Sequence, residues 1–156
     1  MSRKYLYTLA ALGAAAAVVF GYQKGVPRSQ KEDRNAAAVR AVLEEQAAAW
    51  NRGDVAGYME GYAKEDATTF VSGDTITRGW QTVHDRYKSR YDTREKMGTL
   101  AFTELELKPL SEFYFTATGR WQLTLSDGTT PHGRFTLILR RTNAGWRIVH
   151  DHTSSA

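Results

Sequence analysis

The chain has 156 residues, 42% hydrophobic and 24% charged, which suits one packed domain and excludes wholesale disorder. The formal charge is +4, and removing Arg3 and Lys4 from the 21 basic residues leaves 19 against 17 acids. That balance is too mild for a nucleic-acid partner, which needs a dense basic face. Cysteine is absent, so disulfides, thiolate nucleophiles, zinc–thiolate sites and iron–sulfur clusters are excluded.

Arg3 and Lys4 precede an uncharged, mainly apolar run of about eighteen residues, Tyr5 to Tyr22. A basic start followed by an apolar stretch is a targeting pattern, so residues 1–22 are expected to be a signal peptide or an N-terminal membrane anchor. The competing reading, a buried helix of the domain, does not explain that order. The basic residues favour an N-terminus inside and a domain outside. The expected location is the periplasmic face of an inner membrane, or the periplasm or exterior after cleavage. Residues 23–33, with Gly25 and Pro27, read as a linker, and 34–154 as the domain.

Ser29 and Glu32 match a capping box, so a helix is expected from there to about Arg52, stopped by Gly53. Ala36, Val39, Leu43, Ala47 and Trp50 form its apolar stripe. Asp54 is placed to cap a short second helix, on which Tyr58 and Tyr62 lie four apart and point the same way. Thr68 to Val71 and Thr75 to Thr77 read as a hairpin through Gly73-Asp74, in the type II′ manner. A third helix follows, with Trp80, Val83, His84, Tyr87 and Tyr91 as its stripe.

After Gly98 the period changes to two. Phe113, Phe115, Ala117, Trp121, Leu123 and Leu125 alternate with polar residues, with Gly119 a bend or bulge. Strands are expected at Thr99 to Leu107, over the alternating run, at Arg134 to Arg141 and at Trp146 to Thr153, as antiparallel neighbours. The fold class is therefore α+β: three helices packed on a bent antiparallel sheet, with room for a pocket between them.

Ala49-Trp50-Asn51-x-Gly53-Asp54, Arg78-Gly79-Trp80 and the run from Gly145 to Ser154 (Gly-Trp-Arg-Ile-Val-His-Asp-His-Thr-Ser) resemble the nuclear transport factor 2-like superfamily over residues 35 to 154. Within it the chain is most similar to SnoaL-like and ketosteroid-isomerase-like proteins. The ending also resembles the association domain of calcium/calmodulin-dependent protein kinase II. The resemblance implies a cone-shaped fold and a homodimer through the sheet, whose β-branched face would hold Thr116, Thr118, Thr136, Ile138 and Val149. It does not decide function, because members include isomerases, cyclases, dehydratases, hydrolases and pure binding modules.

Catalytic relatives place a carboxylate or histidine in the cone, opposite an oxyanion donor. By that resemblance Asp151 is the candidate base, with Tyr62, Tyr87 or His84 as donors. The plain alternative is that Asp151 pairs with Arg140, Arg141 or Arg147. His150 and His152 share a strand face and could begin a metal site with His84 or His132, but nothing in the spacing supplies a complete ligand set, so no metal is assigned. Simple alternation puts Trp146, Ile148, His150 and His152 on one face and Val149, Asp151 and Thr153 on the other. The kinase association domain uses a basic residue at the position of Thr153 for ligand contact, which favours the second face. A bulge near the strand end would reconcile the two.

The pocket is assigned Tyr62, Phe70, Trp80, His84, Tyr87, Phe102, Trp121, His150 and His152. Its aromatics serve either as core or as an apolar cup for a small ring-bearing or acyl ligand. Arg134 and Arg140 would be a solvated face or, inside the cone, an anion selector. The expected partner is a small apolar or anionic molecule. No nucleotide motif is present and no cofactor is assigned. Two functions stay open. One is a non-catalytic binding or assembly module, favoured because no acid–base set is forced by spacing. The other is an isomerase, cyclase or dehydratase using the pocket carboxylate.

Overall fold

The structure is a computed structural model that describes residues 27–156. The signal or anchor assignment, residues 1–22, lies outside the described residues. Helix α1 (Arg28–Asn51) comes first, then α2 (Val55–Met59), strands β1 (Thr69–Ser72) and β2 (Thr75–Arg78), α3 (Trp80–Arg90) and α4 (Arg94–Met97). Four long strands follow: β3 (Thr99–Pro109), β4 (Tyr114–Thr124), β5 (His132–Thr142) and β6 (Gly145–Thr153). No helix among the described residues is long and apolar enough to cross a membrane.

The stripe of α1 buries Val39, Val42, Leu43, Gln46, Ala49 and Trp50 against the sheet. Its beginning corrects the expected capping box. The helix starts behind Pro27, one residue before Ser29, without a side-chain cap, and Glu32 instead accepts from Arg28 Nε at 2.7 Å. Helix therefore reaches into the stretch read as a linker. The other end follows the sequence closely. Gly53 takes a φ of +83°, a left-handed value that glycine adopts without strain. Asp54 Oδ1 then accepts from the Gly57 amide at 2.7 Å and caps α2.

The residues just before those two positions, at the end of α1, fasten the helix to the sheet. Trp50 Nε1 donates to the Met97 carbonyl at 2.8 Å. The Asn51 side chain acts as a short strand segment: Oδ1 accepts from the Leu100 amide at 2.7 Å and Nδ2 donates to its carbonyl at 3.0 Å. α4, which sequence periodicity did not reveal, is the turn that presents Met97 and Leu100 for this join; Thr93 caps it.

The sheet has six strands in the order β2-β1-β6-β5-β4-β3. The four long strands are antiparallel neighbours as expected. The β1–β2 hairpin is not a separate element, because β1 pairs with β6 in parallel and makes the sheet mixed. Gly73 alone has positive φ at the hairpin tip (+58°), the type II′ pattern. Two irregularities bend the sheet. On β3 one extra residue sits opposite Gly119, with Glu104 at φ +53°. The bulge expected at Gly119 is thus in its partner strand. Gly119 is needed for space instead, since a Cβ there would lie 2.7 Å from Phe135 and 2.9 Å from Leu105. The second irregularity inserts Val149 into β6 against β5.

Replacing Asn51 by Ala removes both anchors on Leu100 and leaves that backbone less well satisfied. We expect a loss of about 1–2 kcal/mol in urea unfolding with an unchanged m-value. An unaltered midpoint would show that Trp50 alone makes the join.

Candidate functional site

The Val149 insertion decides which side chains reach the interior. Ile138 pairs with His150 but Leu139 pairs with Ile148, so one residue of β6 has no counterpart. Alternation is reset across it. Trp146 and Ile148 point inward before the bulge, and Asp151 and Thr153 point inward after it. His150 and His152 turn to the opposite face. His150 Nδ1 meets Thr69 Oγ1 at 2.7 Å on the neighbouring β1, and His152 is exposed. Their assignment to the pocket is therefore corrected. Among the described residues no three His, Cys, Asp or Glu side chains converge as metal ligands.

Asp151 is only 3% exposed and has no cationic partner within ion-pair distance among the described residues. The arginines that might have neutralised it are engaged elsewhere or distant: Arg140 meets Glu65, and Arg147 donates to the Trp146 carbonyl. Hydroxyls serve it instead. Tyr62 donates to Oδ2 at 2.6 Å and Thr153 donates to Oδ1 at 2.7 Å. The Tyr62 position follows from a backbone join. The Ala63 amide donates to the Ile148 carbonyl, and the Ile148 amide donates to the Gly61 carbonyl, each at 2.8 Å. Tyr62 is thereby bridged to β6 just before the bulge that presents Asp151.

Above this pair lies a cavity of about 110 Å³ between the helices and the inner sheet face. Tyr58, Tyr62 and Tyr87 contribute clustered phenol rings: Tyr58 is 6.1 Å from Tyr62 and 5.2 Å from Tyr87 between centroids. Trp50, Phe70, Tyr91, Phe102, Trp121 and Phe135 complete an aromatic wall. The cavity opens to solvent where the exposed Arg90 and Ser155 line it. Of the pocket assignments, Tyr62, Phe70, Tyr87, Phe102 and Trp121 line this space, with Asp151 at its floor.

Trp80 and His84 do not line it. They stack on each other at 5.2 Å, Trp80 Nε1 donates to the Met59 carbonyl at 3.0 Å, and Lys64 lies over the indole. The stripe of α3 was read correctly, but only its C-terminal half faces the cavity. Arg134 and Arg140 also lie outside, paired with Glu104 and Glu65. The lining residues outside the sequence-based assignment include Trp50, Tyr58, Tyr91, Phe135, Arg86 and Arg90. Tyr58 had a signal, four residues before Tyr62. The two arginines had one too, flanking Tyr87 and Tyr91.

Burial pushes the Asp151 carboxyl up to about 6, against the hydrogen bonds from Tyr62 and Thr153 and the influence of His152. Burial, then the charge of Asp151, raises Tyr62 well above the ordinary phenol value. Tyr58 and Tyr87 are raised as well, chiefly by burial. All three phenols are thus protonated at neutral pH and can donate. The floor holds a near-neutral base among hydrogen-bond donors in an apolar surround, which suits proton transfer at a carbon beside a carbonyl.

The raised carboxyl pKa makes folded-state protonation favourable. Its stabilising effect is full below its ordinary value of 3.8, is lost as pH rises through about 6, and is absent above that. Relative to Asp151→Asn, the native chain should lose on the order of 2–3 kcal/mol between those limits. The variant should melt no lower than the native chain at pH 7.5. A variant far less stable at pH 7.5 would mean the ionised carboxylate holds the fold together.

Residues 39–156 match the SnoaL-like domain family. No curated protein matches the chain. Among solved structures, a nuclear transport factor 2-like protein of unknown function from Shewanella oneidensis MR-1 is 35% identical, covering 76% of this chain and 97% of its own, with a TM-score of 0.72. A protein from Novosphingobium aromaticivorans provisionally assigned as a scytalone dehydratase has a TM-score of 0.71 at 5% identity, covering 82% and 88%. A Xanthomonas campestris protein provisionally assigned as a calcium/calmodulin-dependent protein kinase II association domain has 0.61 at 14%, covering 76% and 85%. The last two likenesses concern the fold.

Proposed function

Starting from a chain that belongs to the SnoaL-like domain family, and that buries an unpaired carboxylate at the floor of an aromatic cavity, we propose an acid–base enzyme of the isomerase, cyclase or dehydratase class. The observation that carries this reading is the Asp151–Tyr62 pair: a carboxyl raised to about 6, bonded at 2.6 Å, with no arginine among the described residues to neutralise it. A purely structural aspartate gains nothing from facing a cavity.

In this reading a ring ketone or related carbonyl compound enters with its oxygen toward the phenols of Tyr58 and Tyr87. Asp151 takes the proton from the adjacent carbon as the C–H bond breaks. The electron pair moves to the carbonyl oxygen, where a phenol donates to the growing negative charge. Returning the proton to another carbon completes an isomerisation. Loss of a β-hydroxyl as water, with that proton delivered to the leaving oxygen, completes a dehydration. Tyr62 and Thr153 hold the carboxylate in position. The aromatic wall limits access of water.

The test is exchange of α-protons of cyclic ketones and 1,3-dicarbonyl compounds in D2O, followed by NMR with the full chain. Exchange should rise with pH through about 6 as Asp151 ionises, and Asp151→Asn should reduce it by about 100-fold or more. If no compound exchanges above background while native mass spectrometry finds a retained small molecule, the binding-module reading replaces this one.

Two placements belong to the same proposal. We assign the domain to the outer face of a membrane or the periplasm, on Arg3, Lys4 and the apolar run after them. The exposed Leu110, Phe113 and Tyr114 are in keeping with this, because Lys31 near the start of α1 contacts Glu112 between them. We assign a homodimer through the outer sheet face, where Thr116, Thr118, Ile138 and Val149 are half-buried and Thr136 exposed. Sedimentation should show a dimer at tens of micromolar; a monomer throughout removes that part.

A further inference from the structure

We propose that Arg86 and Arg90 form an anion subsite at the cavity mouth, so that the ligand is a ring-bearing carboxylate. The inference rests on the cavity being a ligand site and adds the class of ligand. Both arginines lie on α3, one turn apart, on the face that also carries Tyr87 and Tyr91, and both line the cavity. The Arg86 guanidinium lies over the Phe70 ring at 5.2 Å, and its Nη1 donates to Thr77 Oγ1 at 3.1 Å. The Arg90 guanidinium lies over the Tyr91 ring at 5.8 Å.

Neither arginine has a carboxylate within ion-pair distance among the described residues. The contrast with β5 is instructive, because Arg134 and Arg140 there each meet a glutamate. Stacking on a ring orients a guanidinium by its face and leaves its edge donors free. Two such edges at a cavity mouth match the two oxygens of a carboxylate. The hydroxyl-bearing Ser72 and Ser155 line the same cavity.

The Arg86 guanidinium lies over Phe70, which pairs with Asp151 across β1 and β6, so the proposed anion subsite and the floor carboxylate face one cavity. The arginines further offset the repulsion between a bound anion and the ionised floor carboxylate.

Two isosteric probes test this: 4-hydroxybenzoate and its neutral counterpart 4-hydroxybenzamide, titrated calorimetrically into the full chain at low salt. The native chain should bind the carboxylate about tenfold or more tightly than the amide. Arg86→Gln with Arg90→Gln should bring the two probes within about twofold, and the exposed Arg40→Gln, remote from the cavity, should leave the preference intact. Should the double variant fold poorly, Arg90→Gln alone, at an exposed position, must still reduce the preference. Equal binding of both probes by the native chain, a preference that survives the double variant, or no binding of either probe would each overturn the proposal. Asp151→Asn separates the two readings. A preference absent in the native chain, beside a proton exchange lost in Asp151→Asn, sinks the anion subsite and leaves the acid–base function standing. A preference present without any exchange does the reverse.

Discussion

One inserted residue governs the site. Were Val149 paired in regular alternation, β6 would carry His150 and His152 into the interior behind Trp146 and Ile148. With Val149 bulged out of the pairing, Asp151 and Thr153 enter instead. Because strand side chains alternate with a period of two, a single insertion exchanges the entire set beyond it. The bulge has support on both sides. β5 continues pairing on either side of it, and β1 pairs in parallel with the segment from His150 to Thr153. Ile148 is also bonded by its amide and its carbonyl to the chain around Tyr62. Three backbone segments thus meet at the point where the face changes.

That arrangement explains how a carboxylate can be buried without a cation. Desolvation alone would make it costly, and the raised carboxyl reflects the remaining cost. Two hydroxyl donors reduce that cost without cancelling the basicity, which a guanidinium would do. The positive charges near the cavity are instead one layer out, at its mouth on α3. Floor and mouth therefore have different electrostatic characters, and an aromatic wall of low polarity lies between them.

Much of the fold was legible because it rests on local physics. The stripe of α1, the Asp54 cap, the glycine at Gly53 and the alternation from Phe115 to Leu123 each depend on near neighbours in the chain. Asp151 was recognised through a resemblance rather than a pattern. What stayed hidden was non-local. The parallel pairing of β1 with β6 joins residues about eighty apart, and nothing in Thr69 to Ser72 announces it. A bulge near the end of β6 is the expected way to reconcile its two faces, but Val149 is an ordinary strand former, so nothing in the residue itself marks the position. Trp80 and His84 share a stripe with Tyr87, but the stripe outlasts the cavity, and periodicity cannot say where along a helix a void begins.

The sheet order has a further consequence for how the chain acquires its site. β6 is latest in chain order among the described elements, yet it lies between β1 and β5 inside the sheet. Until residues 145–153 are available, β1 and β2 can form only a two-stranded ribbon, which is marginal alone, while β3, β4 and β5 can already form a meander. Tyr62 then has no partner for its hydroxyl, since Asp151 is 89 positions further on. Synthesis from the N-terminus therefore yields a chain whose helices and outer strands emerge well before its chemistry. A nascent chain halted before β6 would expose the aromatic wall to water and to chaperones, with no floor beneath it.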